Sequence, residues 1–366
     1  MMNGMLRRKS KKVFVGLSGG VDSSVAAALL KRRGYDVTGV FIKVWQPDFI
    51  PCTWKEDRLD AMRVAARLDI PFLTMDFGEE YKKSVVDDMI ESYKRGETPN
   101  PDVMCNKSIK FGMFQNAALA AGADFVATGH YARLEKTPDG IALKKGIDRE
   151  KDQSYFLWTL SQDRLAKTIF PVGDYAKTKV RNMARAFGLP TADKKDSQGL
   201  CFLGKLNMRD FLGHFIPEKR GDVLNEKGDV IGFHTGAMFL TLGQRHGFTV
   251  EKKQTSDKPY YIVAKNISEN TITVSHDPAE KTGRGTRKIF LRNACWNRGE
   301  PIVGKTYAAS IRYREKPRAC KILSAGDNPI VEFEEPRIVS AGQSLVLYDN
   351  DICMGGGVVT KNEMLS

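Results

Sequence analysis

The sequence predicts an α/β fold: an N-terminal parallel sheet, a helical middle stretch and an antiparallel, barrel-like C-terminal part. Three observations carry that prediction. Residues 1–130 alternate between strand-like and helical periods. Residues 163–215 are patterned as helix. After Arg220, short β-like runs are separated by polar turns. Hydrophobic residues make up 42% and charged residues 28%, the balance of a folded, soluble chain. No apolar run approaches the ~18 residues that a membrane-spanning helix needs.

The first strands are expected at 12–17, 37–44, 72–75 and 125–128, with helices at 23–33, 55–68, 79–95 and 107–121 between them. Gly34, Pro71 and Gly122 punctuate the helix ends. Strand, helix, strand repeated in this way gives right-handed crossovers and a parallel sheet. Ligands bind such sheets at the carboxyl ends of the strands. The loops after Leu17, Val44 and Thr128 therefore share one functional edge. Further on, DRLAKTIF, KTKVRNMARAFG and NMRDFLGHF read as helical. YYIVAK, TITVS, KIFL, ASIRY and SLVLY read as strands, with NEKGD, ISENT and YDND as turns.

The formal net charge is +13, which favours an anionic partner, nucleic acid first. The start, MMNGMLRRKSKK, runs straight into the strand-like VFVGL and lacks the apolar stretch of a signal peptide. The expected compartment is the cytoplasm, with no membrane partner. The six cysteines, at 52, 105, 201, 295, 320 and 353, are scattered, and none forms a C-x-x-C. That argues against a zinc ribbon, a disulfide-stapled secreted scaffold and a tightly spaced iron–sulfur motif.

Gly16-Leu17-Ser18-Gly19-Gly20-Val21-Asp22-Ser23-Ser24 lies between a strand and a helix. Its glycines let backbone N–H groups approach phosphate oxygens, and the helix that follows aims its positive end at an anion. Ser18, Ser23 and Ser24 add hydroxyls. Asp22 should repel phosphate, a conflict that a magnesium ion between them resolves. The plain alternative is a Gly-rich turn in which Asp22 or Ser23 is merely a helix cap.

Two loops each carry a cysteine. Cys105 follows the proline-stiffened Thr98-Pro99-Asn100-Pro101-Asp102-Val103-Met104. A helix starting near Lys107 would place Cys105 at its N-terminal end with Lys107 and Lys110 close by, a setting that favours the thiolate. Asn100 and Asp102 could read a base edge or act in acid–base chemistry. Cys201 lies in DSQGLCF (196–202) between Gly199 and Gly204. Alone, either cysteine reads first as an inert thiol. Together with a nucleotide loop, the pair suits sulfur transfer, one thiol carrying a persulfide and the other resolving the product.

The glycine loop resembles the pyrophosphate-binding loop of the N-type ATP pyrophosphatases, which split ATP between the α and β phosphates and adenylate a substrate oxygen. The chain as a whole resembles the bacterial tRNA-uridine 2-sulfurtransferase family, the tRNA-specific 2-thiouridylases. The resemblance runs through NPDVMCNKSIKF, ATGHYAR, KDQSYFL, DSQGLCF, TLGQRHG and AGQSLVLY ahead of GGG at 355–357. It implies a pyrophosphatase domain over 1–203, a central tRNA-binding domain over 204–284 and a β-barrel over 285–366. It implies that Gly16, Leu17, Ser18, Gly19, Gly20, Val21, Asp22 and Ser23 hold ATP with Mg2+, with main-chain contacts from Ile42 and Gly129. No protein-held metal centre is implied. Asn100, Pro101 and Asp102 would face the target uridine, Asp102 within the catalytic set. Cys105 would be the nucleophile and Cys201 the persulfide carrier, the two ending in a disulfide. His130, Lys151, Asp152, Gln153, Arg312, Tyr313 and Gln343 would contact tRNA. The implied reaction is ATP-dependent 2-thiolation of the wobble uridine, supplied by a persulfide sulfur-carrier protein, in an enzyme that is more simply a monomer.

The residues alone leave some of this open. His130 could be a packed strand-end histidine. Arg312, Arg314, Lys316 and Arg318 around Tyr313 suit phosphate contacts with base stacking, and equally a charged β-edge. Two rivals are an amidotransferase-like synthetase, which needs a glutaminase module, and a non-catalytic RNA-binding protein with a decayed loop. The intact S-G-G-V-D-S opposes the second.

Overall fold

The computed structural model describes residues 10–50, 54–195, 207–251, 258–277 and 285–360. The chain divides into two compact units, Met1–Lys82 with Cys105–Gly204 and Lys83–Met104 with Lys205–Ser366.

The first unit is built on a parallel sheet. β1 (Lys12–Gly16), β2 (Asp36–Lys43), β3 (Phe72–Asp76) and β4 (Phe125–Ala127) follow the order β3-β2-β1-β4 and are extended by a short strand at Thr168–Ile169. Val13, Phe14 and Val15 of the central β1 are at most 2% exposed, since a parallel strand is covered on both faces. Helix α1 (Val21–Arg32) is alanine-rich and buried nearly all round. Ala27 and Leu30 pack with the sheet residues Val13, Val15 and Phe41, whereas Val25, Ala26 and Leu29 meet Val180, Ala184 and Leu189. Helix α2 (Trp54–Arg67) covers the sheet with Ala61, Val64 and Ala65.

Three local expectations are corrected. The helical period over 79–95 is one run broken in register, Gly78–Tyr81, a π-helical Lys82–Asp87 and Asp88–Lys94. The helix expected from Lys107 starts earlier: Pro101–Met104 leads directly into a π-helical Cys105–Phe114. Asn100 caps it, its Oδ1 accepting from Val103 N at 3.3 Å, and Pro101 takes the first position, where a missing N–H costs nothing. DRLAKTIF ends not in helix but in the fifth strand, Thr168–Ile169. A hairpin absent from the sequence reading, β5 (Ala132–Thr137) and β6 (Gly140–Lys145), follows β4.

The second unit contains two β systems. One has strands in the order Phe248–Val250, Val230–His234, Gly221–Leu224, Thr271–Ser275, Tyr261–Asn266, with one parallel pairing between Gly221–Leu224 and Thr271–Ser275. The other is a closed antiparallel barrel of six strands, in the order Thr286–Trp296, Ile330–Arg337, Arg318–Ser324, Thr306–Ser310, Ser344–Asp349, Ile352–Val359, closing back onto Thr286–Trp296. Closure removes exposed strand edges. Its interior is filled by Ile289, Leu291, Ile322, Phe333, Leu345 and Leu347, each at most 1% exposed. The expected ASIRY strand stops at Ser310, so Ile311–Pro317 is a loop rather than a β-edge. Among the described residues no helix is long and apolar enough to cross a membrane.

Candidate active site

The glycine loop leaves β1 at Gly16 and enters α1 at Val21, at the carboxyl end of the sheet. Gly19 has φ +72, a left-handed conformation, and a Cβ there would lie 2.4 Å from the Asp57 carbonyl oxygen of α2. Gly20 is the N-cap and supplies no side-chain acceptor. Ser18 N–H donates to Ser23 Oγ at 3.2 Å, and the Ser18 and Ser23 hydroxyls are 3.1 Å apart. Ser24 Oγ donates to Gly20 O at 2.6 Å and accepts from Thr191 Oγ1 at 3.0 Å. The loop is thus tied by its own serines.

Gly129 follows β4, the neighbour of β1. A Cβ at Gly129 would sit 2.6 Å from Ser23 N and 2.8 Å from the Asp22 carbonyl carbon. Ile42 lies near the carboxyl end of β2, its Cδ1 3.6 Å from a Cβ built on Gly16. The expected contacts Gly16–Ser23, Ile42 and Gly129 therefore converge on the ends of three adjacent strands. A backbone cradle that a single methyl would fill, at the positive end of a 12-residue helix, fits a nucleotide's phosphates.

Asp22 has partners that the sequence reading missed. Lys177 Nζ donates to its Oδ1 at 2.7 Å and Oδ2 at 2.8 Å, and Tyr131 OH donates to Oδ1 at 2.7 Å. Lys177 opens the helix Lys177–Ala186, and its own N–H donates to Asp148 Oδ2 at 2.9 Å, replacing the cap that Ala176 cannot supply. A lysine in a first turn opposes the helix dipole, and that was the available sequence signal. Among the described residues no group of three or more His, Cys, Asp or Glu could hold a metal alone. A magnesium ion would take most of its oxygens from the phosphates, with Asp22, shared with Lys177 and Tyr131, as the loop carboxylate that would join them.

The turn carrying Lys151, Asp152 and Gln153 joins this network. Asp152 accepts from Gly146 N (2.9 Å), Ser154 N (3.1 Å) and Ser154 Oγ (2.9 Å). Burial raises its pKa above the ordinary carboxylate value, against the opposing pull of those hydrogen bonds. Gln153 Oε1 accepts from Tyr131 N at 3.0 Å. Asp152 and Gln153 are thus turned onto the protein, and Lys151 is the cation of the turn.

His130 is 8% exposed between the rings of Phe111 and Phe170, at 5.8 and 5.9 Å, with Thr128 Oγ1 2.7 Å from Nδ1. Burial holds its pKa well below the usual histidine value, and the charge of Lys110 pushes the same way. It is a neutral imidazole at pH 7.

Cys105 is a buried thiol, 6% exposed, one turn inside the helix that Asn100 caps rather than at its end. Cys201 and the DSQGLCF string lie outside the described residues. In the second unit, Arg312 and Tyr313 occupy the Ile311–Pro317 loop. Glu315 Oε2 accepts from Ile311 N (3.1 Å) and Arg312 N (3.2 Å), and Glu315 pairs with Arg337. Arg312 donates to Leu242 O at 2.9 Å, and Arg314 lies 5.1 Å from the centre of the Tyr313 ring. Gln343 Oε1 accepts from Ser340 N at 2.9 Å.

Three family models match the chain in order. The tRNA methyl transferase HUP domain matches residues 11–205, the tRNA methyl transferase PRC-barrel domain residues 209–276, and the aminomethyltransferase beta-barrel domain residues 286–359. Among curated relatives, the tRNA-specific 2-thiouridylase MnmA of Francisella philomiragia is 42% identical over 360 residues, covering 96% of this chain and 99% of that protein. The tRNA-specific 2-thiouridylase MnmA 2 of Aliarcobacter butzleri is 42% identical over 363 residues, with the same coverage of each chain.

Proposed function

The chain belongs to the tRNA-specific 2-thiouridylase family, and we propose that it thiolates C2 of the wobble uridine through Cys105 and Cys201. It is an ATP-dependent tRNA sulfurtransferase. The family-model descriptions speak of methyl transfer. The full-length relatives speak of thiolation, which is the chemistry that a pyrophosphate loop with a pair of cysteines suits.

ATP, when bound, supplies the adenylyl group that makes the uridine C2 oxygen a leaving group. Gly16–Ser23 and Gly129 hold its phosphates through backbone N–H groups, and Ile42 contacts the base through its main chain. Asp22 orients Lys177 toward that same anion. Asn100, Pro101 and Asp102 face the uridine. A Cys201 persulfide presents its outer sulfur to C2, and AMP leaves. Cys105 thiolate then attacks the Cys201 sulfur. The S–S bond to the product breaks, a Cys105–Cys201 disulfide forms, and 2-thiouridine is released. A cellular thiol reductant must reset the disulfide. A sulfur-carrier protein loads Cys201, the reaction takes place in the cytoplasm, and the protein works as a monomer. Lys151, Arg312, Tyr313 and Gln343 contact tRNA, while the buried His130 and the inward-turned Asp152 and Gln153 hold the backbone beside Lys151.

The observation that carries this reading is the assembled loop, tied by Ser18 and Ser23 and sealed by Gly129, in a chain 42% identical end to end to named thiouridylases. Nucleoside mass spectrometry tests it after incubating the protein with tRNA, ATP, magnesium and a persulfide source. The expected product is 2-thiouridine at the wobble position, dependent on ATP. Its absence, or its formation without ATP, contradicts the reading.

A further inference from the structure

Two strings singled out in the sequence, TLGQRHG (241–247) and AGQSLVLY (341–348), supply Leu242 O to Arg312 and the side chain of Gln343 to Ser340 N. Both meet the segment Arg95–Thr98, which leads into the capped helix start Asn100–Asp102 within the second unit. Thr98 N–H donates to Ala341 O at 2.7 Å, and Thr98 Oγ1 lies 3.2 Å from Thr241 Oγ1. A Cβ on Gly342 would come within 2.9 Å of Thr98 N, so the two backbones are in close contact. Glu97 is 6% exposed, and its carboxylate accepts from Arg292 Nη2 of the barrel strand Thr286–Trp296 at 3.1 and 3.0 Å. Arg95 Nη2 adds a third bond at 3.0 Å. Nothing in the nucleotide chemistry uses this pair. A buried carboxylate is costly unless it is paired, and here both guanidinium groups converge on the one carboxylate.

We propose that Glu97, clamped by Arg292, is a positioning residue for the target uridine: it locks the helix start at Asn100–Asp102 to the barrel that carries Gln343 and Arg312. tRNA seated on that barrel then meets the helix start in a fixed register. The proposal rests on the reading that Asn100–Asp102 faces the uridine. Positioning acts on turnover, because a small misplacement of reacting groups can lower a rate by up to ~100-fold without changing affinity.

The test compares full-length Glu97→Gln, Arg292→Met, Arg292→Lys and the double variant Glu97→Gln/Arg292→Met with the parent. It measures tRNA Kd and the kcat and KM of thiolation well below each melting temperature. The double variant leaves no buried charge unpaired, since the remaining Arg95 is half exposed and still donates to Ser92 Oγ at 3.1 Å, and it guards against misfolding. Glu97→Gln, Arg292→Met and the double variant should each lower kcat about tenfold, with tRNA Kd within about twofold. The double variant should be no worse than either single one. Arg292→Lys should recover most of the loss, because one nitrogen, Nη2, makes both contacts. Parent-like kcat in the double variant, or a tRNA Kd that weakens in step with kcat, overturns the proposal. Asp102→Ala is run alongside. If it thiolates at the parent rate, the uridine-facing reading itself fails; if it is inactive while Glu97→Gln is normal, only the clamp fails.

Discussion

Asp22 shows how charge is arranged around the loop. Its carboxylate holds Lys177 and Tyr131 at 2.7 Å each, so the acid that should repel phosphate instead anchors a cation beside the phosphate cradle. Asp22→Ala is expected to lower ATP-dependent thiolation at least 100-fold with tRNA affinity nearly unchanged, read by AMP release and a filter-binding assay. Gly129→Ala should do the same for a different reason: its methyl would lie 2.6 Å from Ser23 N, a backbone atom with no room to yield. Normal AMP release by Gly129→Ala would show that the cradle lies elsewhere. The loop was legible in the sequence because its parts are contiguous. Lys177, Tyr131 and Arg292 were not, since they meet Asp22 and Glu97 only after folding brings together residues 109 to 195 positions apart. His130 was left open between packed and RNA-facing, and its burial between two rings decides its charge but not its partner.

At the scale of elements, the four parallel strands and α1 lie within a residue or two of where apolar periodicity put them. What periodicity missed has physical causes. A π-helical stretch keeps a helical pattern while changing the register, so 79–95 and 107–121 read as plain helices. Asn100 with Pro101 was a capping signal, but the prolines were read as a loop, and the helix start was placed six residues late. That moves Cys105 away from the positive helix end, so any activation of its thiolate must come from neighbours rather than from the dipole. The Glu97–Arg292 pair, which links two elements, carries a pH prediction. Burial raises the Glu97 pKa, but hydrogen bonds and charge from Arg95 and Arg292 outweigh it and leave it below the usual value. Its stabilisation is therefore fully present above the unfolded value of about 4.3 and is lost as pH falls through the lower folded value. The melting-temperature gap between parent and Glu97→Gln should be constant above about pH 5 and close below it. A gap that widens with acid would reverse the sign of the argument.

At the scale of the whole molecule, an excess of 13 positive charges was the first pointer to an anionic partner, and the family has tRNA as its substrate. Lysines and arginines that neutralise phosphates release counterions, so tRNA affinity should fall at least tenfold between about 50 and 200 mM salt. A flat titration would mean that the contacts are not electrostatic. The barrel was foreseen, but not which strand closes it, since a sequence does not reveal that one long strand, Thr286–Trp296, pairs with two partners. The assignment of residues 83–104 to the unit containing the barrel was equally hidden, because the break falls inside helical sequence.

The central claim is sulfur transfer through Cys105 and Cys201, and single-turnover thiolation with a labelled persulfide donor tests it most directly. The comparison covers serine variants of all six cysteines. Cys201→Ser should neither load label nor make 2-thiouridine. Cys105→Ser should load label but fail to release product. Serine at Cys52, Cys295, Cys320 or Cys353 should leave thiolation intact, with some loss of stability at Cys320 and Cys353, whose side chains are buried in the barrel. Formation of 2-thiouridine at the parent rate by both Cys105→Ser and Cys201→Ser would contradict the account.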